Sequence, residues 1–348
     1  MRKFLINISY TVLPVWLFLV GMAVYLWLSN DNSGDLMRLG LINSGPEYTD
    51  SIRAGLLSRV YYGGLDDDSL LRRDTCDVLV IGDSFSHGGG VGKQGDYVNY
   101  LAYDSDRKVV VFTPQDPTLS SPMQVAYDIL NLGIIDSTHV RNLVVQEVER
   151  YLVDRHGLFV TNHTSIPRVE INEEERDATP EAKHAPSPLL RVKDYLFYHL
   201  FGANPIFSVR LSKPVFGGEQ PDRLYFYRED VELGFNVSPE RQQRVVDCYR
   251  HVIEAARQRG VNLVLLVACD KYDLYQDFIV DNPYPAKTLN EDLQRWMSPQ
   301  DLDYFVFSKQ VLLPYIEQGV KDVYLFNDTH WSPASSRLIA AEVIKKLK

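Results

Sequence analysis

The chain has 348 residues, 36 basic and 46 acidic, for a formal net charge of -10. Hydrophobic residues make up 45% and charged residues 24%, which excludes a polytopic membrane protein, a collagen-like chain and a wholly disordered one. So acidic a chain is poorly suited to holding phosphate backbones, and nucleic acid is not an expected partner.

The charge is unevenly placed. Arg2 and Lys3 are followed by an uncharged stretch over residues 4–30, so the remainder, residues 31–348, carries -10 minus +2, or -12. A bilayer core takes about 20 apolar residues in a helix. The run FLINISYTVLPVWLFLVGMAVYLWL reaches that length, and Pro14 and Gly21 are tolerated in membrane helices. Tyr25 and Trp27 sit at its far end, where amphipathic rings favour headgroups. The reading is a single membrane-spanning helix over residues 1–30. The positive-inside rule puts its N-terminus in the cytoplasm and the body of the chain outside, which in a bacterium means an inner-membrane protein with a periplasmic or extracellular domain. A cleaved signal peptide fits less well, because no A-x-A site follows. A core helix with no polar stripe over this length, at the extreme terminus, fits least.

Residues 31–75 read as a juxtamembrane connector with a short helix at 51–60. Their Asp66-Asp67-Asp68 run lacks Ca²⁺-loop spacing and reads as a solvated turn. A domain over residues 76–348 follows. Short Val- and Ile-rich runs at 77–82, 108–112, 142–148, 261–268 and 322–326 predict strands buried on both faces. Helical stretches at 97–103, 122–132, 239–259, 308–318 and 333–346 separate them. The alternation predicts an α/β fold, helices on both faces of a parallel sheet. Residues 151–237 break the rhythm and read as an insertion. Within it, residues 168–184 are dense in charge and predict an exposed loop. The aromatics around them pack a small subdomain or line a groove. Cys76, Cys248 and Cys269 lie in apolar or helical surroundings and read as small buried side chains. No metal-site spacing is present.

Two motifs carry chemistry. Gly82-Asp83-Ser84-Phe85-Ser86 ends the first strand, at the sheet edge where ligands bind in open α/β folds. Gly82 permits a sharp turn, and a backbone N–H near Ser84 can face an oxyanion. Asp328-Thr329-His330-Trp331 closes the last predicted strand, and Ser332-Pro333 then starts a helix as N-cap and N1. A serine nucleophile needs a base, and the base an orienting carboxylate. His330 and Asp328 supply both. His87, in GDSFSHGGG, reads as a loop residue, and the glycines after it lack the lysine and spacing of a phosphate-binding loop.

GDSFS after a Val/Ile strand, with a C-terminal D-x-H, resembles the SGNH (GDSL-like) hydrolase superfamily. DTHW followed by SP resembles its alginate O-acetyltransferase-like branch, periplasmic proteins that acetylate exopolysaccharides. The resemblance covers residues 77–150 and 239–348. It implies a three-layer sandwich, with Ser84 as nucleophile, His330 as base and Asp328 as its partner. It implies no cofactor, a polysaccharide acceptor, and a membrane-bound O-acyltransferase as acyl supplier. In much of that branch D-x-H-W precedes the serine motif, whereas here it follows, as in ordinary SGNH hydrolases. There is no GxND block. The matching place reads VQEVER, which makes Gln146 the candidate amide donor for an oxyanion and Arg150 a candidate for an anionic substrate group. Asp83 and Trp331 are the remaining site candidates, Trp331 either over His330 or a sugar, or in the core. Tyr284 and Lys287 are loop residues within reach of a glycan. An esterase on the same triad and a non-catalytic glycan-binding component stay open, as does a D-alanylation-type protein with a similar layout.

Overall fold

The structure, a computed structural model, describes residues 2–29, 35–36, 60–62, 76–89, 95–112, 121–164, 192, 196, 200 and 206–348. Six parallel strands form the central sheet: β1 (Val60–Tyr62), β2 (Val78–Ile81), β3 (Val109–Phe112), β4 (Asn142–Val148), β7 (Asn262–Ala268) and β8 (Phe305–Phe307). Their order is β1-β3-β2-β4-β7-β8. The strand order reverses between β2 and β4, which places the crevice of an open sheet beside the end of β2.

The strands read as unbroken apolar runs because both faces are covered. Val78 and Val80 join one core cluster, Leu79 and Ile81 the other. The first face is closed by α2 (Tyr97–Ser105), α6 (Ser308–Glu317) and α7 (Pro333–Ile344). The second is closed by α3 (Pro122–Asn131), α4 (Glu149–Gly157) and α5 (Pro239–Gln258). This is the expected parallel α/β sandwich. Cys76, Cys248 and Cys269 are free and buried.

Three expectations about elements need correction. Residues 322–326 form no sheet strand. Asp322 takes a left-handed φ of 55°, and the chain doubles back so that Tyr324 bridges Trp331 alone. The sixth sheet strand is instead β8, too short for its three aromatic and apolar residues to show a period. In the expected connector, Val60 opens the edge strand β1, while residues 51–59 and Asp66–Asp68 lie outside the described residues. Asp35 and Leu36, from the same connector, are buried in the body of the protein.

Helix α1 occupies Arg2–Ser29, where the membrane helix is expected. Among the described residues no helix is long and apolar enough to cross a membrane. The side chains described on α1, at residues 9, 10 and 12–25, cover a shorter stretch than the about 20 residues that a bilayer core takes.

The inserted region contributes the antiparallel hairpin β5 (Ile206–Arg210) and β6 (Arg223–Tyr227). Among the described residues, aromatics of this hairpin and the loop between its strands pack inward. Phe207 stacks on Tyr284 with centroids 5.0 Å apart, and Phe216 meets Tyr275 and Phe326, each at 5.4 Å. Tyr284 is therefore a packing residue. Residues 168–184 lie outside the described residues.

Candidate active site

Ser84 opens a single 3₁₀ turn directly beyond β2. Its neighbours explain the geometry. The Asp83 side chain caps the turn by accepting from the Phe85 N–H at 3.2 Å, and its second oxygen accepts from the Val148 N–H at 2.9 Å. Asp83 thus ties the turn to the end of β4, and Arg155 neutralises it at 3.6 Å. Gly82 is required by close approach, because a Cβ there would overlap Ser86 Oγ. The result presents Ser84 exposed above a buried layer.

Gln146 lies beside this turn, but by its carbonyl end. Oε1 accepts from the Asp83 N–H at 3.1 Å and from the Ser86 hydroxyl at 2.8 Å. Its Nε2 is a buried donor with no hydrogen-bond partner.

The structure brings Ser84, His330 and Asp328 together. Ser84 Oγ lies 2.7 Å from His330 Nε2, and His330 Nδ1 meets Asp328 Oδ1. A carboxylate only accepts, so Nδ1 carries the proton and Nε2 is left to accept from the serine hydroxyl. Exposure falls from Ser84 inward, with His330 at 6% and Asp328 at 0%. Gly89 closes over the imidazole, and a Cβ there would overlap His330 Nε2. The Gly89 N–H donates to Ser84 O at 2.7 Å, and the His87 N–H to the same oxygen at 3.3 Å, which holds the glycine run down.

The turn carrying Asp328 and His330 has two backbone bonds across its base, Leu325 N–H to His330 O at 3.0 Å and Ser332 N–H to Val323 O at 3.1 Å. It also has remote support. Lys271, fully buried after β7, donates to the carbonyls of Leu325, Phe326 and Asp328 at 2.7, 3.0 and 3.0 Å. Burial pushes its ammonium down to about 7. The Asp35 N–H donates to Asp328 Oδ2 at 2.8 Å. Burial, then the Asp328 charge, pushes the Asp35 carboxyl up. Neither Lys271 nor Asp35 was legible as a site residue. A lysine in a strand-end loop reads as surface, though its place at the functional edge of the sheet was a usable signal. Asp35 had no signal beyond being one acid in a polar segment.

Three candidates fall elsewhere. Trp331 is a core residue at 1% exposure. It donates to Tyr324 Oη at 2.9 Å and packs on Phe85 with centroids 4.6 Å apart. Phe85 is the ring against His330, at 4.5 Å. Arg150 lies in a buried ion-pair network. It is buried between Asp270 at 2.7 Å and Asp230 at 3.3 Å. Lys287, expected near a glycan, pairs with Asp270 at 2.5 Å in the same network. Asp35, Asp328 and His330 form an acid-histidine cluster close enough to share an ion. Their ligand atoms are already taken: Nδ1 bonds Asp328, and Asp35 Oδ2 accepts from the Thr329 hydroxyl at 2.5 Å.

No curated protein matches the chain significantly. Among solved structures it is similar to an acetyl xylan esterase (Est2A) from the rumen bacterium Butyrivibrio proteoclasticus, at 8% identity and a TM-score of 0.30. That similarity covers 78% of this chain and 62% of the esterase chain. Residues 213–348 match the family described as "SGNH hydrolase-like domain, acetyltransferase AlgX". The matched stretch holds Lys271, Asp328 and His330, whereas Ser84, which meets His330, lies in an earlier part of the chain outside the match.

Proposed function

We propose that the protein transfers an acyl group, most simply acetyl, to hydroxyls of a cell-envelope polysaccharide through an acyl-Ser84 intermediate. The observation that carries this is the 2.7 Å contact between an exposed Ser84 Oγ and His330 Nε2, with Asp328 on the opposite ring nitrogen. His330 Nε2 takes the Ser84 proton as Oγ attacks the donor ester carbonyl. Asp328 stabilises the imidazolium that forms. The Ser84 N–H is the backbone donor for the oxyanion. The tetrahedral species collapses, His330 returns the proton to the departing oxygen, and acyl-Ser84 remains. A sugar hydroxyl then gives its proton to His330 and attacks the acyl carbon. Collapse releases the new ester and returns the proton to Ser84. No cofactor enters this cycle.

The setting belongs to the same proposal. The uncharged stretch after Arg2 and Lys3, and the exposure of Trp16 and Phe18 at 57% and 59%, support a membrane anchor with the site on the extracytoplasmic side. With no acetyl-CoA there, the acyl group would come from a membrane-bound O-acyltransferase. One observation favours esterase activity as the second reading. Ser84 is exposed, so water competes for the acyl-enzyme.

Full-chain protein is expected to release nitrophenol from an acetyl ester. Ser84→Ala and His330→Ala should each cut turnover about 1,000-fold or more. Unchanged turnover in both sinks the mechanism and leaves a binding role. Polysaccharide acetylation lost on deletion and unrestored by Ser84→Ala selects transfer. Raised acetylation on deletion selects the esterase.

A further inference from the structure

Asp35 lies six residues beyond the end of α1, yet it meets the loop before His330. Its N–H holds Asp328 Oδ2 at 2.8 Å. Its own Oδ1 accepts from the Thr329 N–H at 2.9 Å, and Oδ2 accepts from the Thr329 hydroxyl at 2.5 Å. The adjacent Leu36 N–H donates to Asn327 O at 3.1 Å. Two consecutive residues thus grip Asn327, Asp328 and Thr329, the three that precede His330. The Asp35 carbonyl in turn accepts from Tyr227 Oη of β6 at 3.4 Å.

This grip addresses a specific weakness. The χ2 torsion of an aspartate is broad and roughly two-fold, so a carboxylate held by one oxygen can swing. If Asp328 swung, the imidazole would lose its aim at Ser84. The Asp35 N–H fixes the second oxygen, and Thr329 fixes the backbone between Asp328 and His330. Burying a second carboxylate beside Asp328 is costly. Apolar packing alone would not call for an acid there.

We propose that Asp35 is a positioning residue, holding the Asp328–Thr329 turn so that Asp328 keeps His330 directed at Ser84. The N-terminal segment is thereby part of the acyl-transfer site, which residues 213–348 do not complete by themselves. The proposal rests on the acyl-transfer reading above.

The test uses the full chain and separates the two. Wild type and Ser84→Ala are compared first on an acetyl nitrophenyl ester. Absence of Ser84-dependent turnover defeats the acyl-transfer reading before Asp35 is touched. Given turnover, Asp35→Ala should lower kcat about 30-fold with KM within about threefold, since a misplacement near 1 Å can cost about 100-fold. Thr329→Val keeps the shape, drops the hydroxyl and should cost about fivefold, near 1 kcal/mol. The double variant should be no slower than Asp35→Ala, because both act through one contact. Asp35→Asn, which keeps an acceptor for the Thr329 N–H, should recover most of kcat. The proposal is overturned by additive losses, by an effect on KM alone, or by a kcat for Asp35→Ala within about twofold of wild type. A loss that merely tracks falling thermal stability across the variants overturns it too. Should Asp35→Ala fail to fold, Asp35→Asn and Thr329→Val decide on the same criteria.

Discussion

The two halves of the candidate site are built differently. The Ser84 turn is held by the sheet it grows from: Asp83 caps it, Val148 and Gln146 of the neighbouring strand bind it, and Gly82 lets it turn. The Asp328–His330 turn lies outside the sheet, closed by a short bridge and a few local bonds. It depends on Lys271 and on Asp35, which lies 293 residues away from Asp328 in sequence. The nucleophile is positioned by strand topology and the base by a buried polar scaffold. Substitutions around Ser84 should therefore act by local sterics, and those around His330 by releasing a loop.

Outside the triad itself, the largest effect is expected where the two halves touch. Gly89 lies against the imidazole with no room for a methyl group. Gly89→Ala must displace either the glycine loop or His330. A shift near 1 Å between nucleophile and base is expected to lower kcat about 100-fold. Ser84 reactivity toward a fluorophosphonate should fall in parallel, while circular dichroism stays native. Wild-type labelling kinetics would show that the loop yields freely and that the contact is not a constraint.

Next comes Lys271→Met, which matches the stem but removes the ammonium. Three buried carbonyls lose their donor, so unfolding free energy should fall by about 2 to 3 kcal/mol. Because those carbonyls belong to the loop of Asp328 and His330, kcat should fall about tenfold beyond what the remaining folded fraction explains. Equal specific activity after correction for folded fraction would make Lys271 a stability residue only.

This asymmetry also decides what was readable. The four longer parallel strands, the helices between them and the Ser84 turn follow from local pattern: apolar runs, a glycine at the strand end, a capping serine before a proline. Asp328 and His330 were recognisable as a spaced pair. Their true element was not, because Val323–Phe326 are buried and apolar and mimic a strand, while the reversal after Phe326 depends on bonds to His330 and Ser332. Asp35, Lys271 and the Arg150–Asp270–Lys287 network are long-range pairings of charged residues. Arg150 and Lys287 read as substrate-facing and the others gave no signal, since a buried charge is recognisable only beside its partner. Trp331 was ambiguous for the same reason, and Tyr324 and Phe85 settle it as core.

A smaller effect follows from pH. Burial, then the Asp270 charge, pushes Asp230 up to about 7, and burial pushes Asp273 up to about 6. Between the ordinary carboxylate range and these values the folded state binds more protons than the unfolded one. Stability should therefore fall as pH rises from about 4 to 7. Lys271 has the opposite sign. Its folded value of about 7 lies below the unfolded one, so its contribution rises with pH from about 7 to 10. The melting temperature should pass through a shallow minimum near pH 7. Asp230→Asn should flatten the acid side and Lys271→Met the alkaline side. A monotonic profile unchanged by either substitution would contradict both assignments.

The smallest effect tests the far end of the His330 turn. Ser332 caps α7 by accepting from the Ser335 N–H at 3.4 Å, with Pro333 in the first helical turn. Replacing such a cap by alanine costs about 1 kcal/mol. Ser332 also closes the turn through its backbone N–H to Val323 O, which Ser332→Ala leaves intact. The melting temperature should drop by a few degrees, while kcat stays at the wild-type value, because Asp35 and Lys271 still hold the loop from the other side. A clear loss of kcat in Ser332→Ala would mean that the start of α7, and not the remote scaffold, orients His330. That result would bring the two halves of the site under one rule, with local capping positioning both.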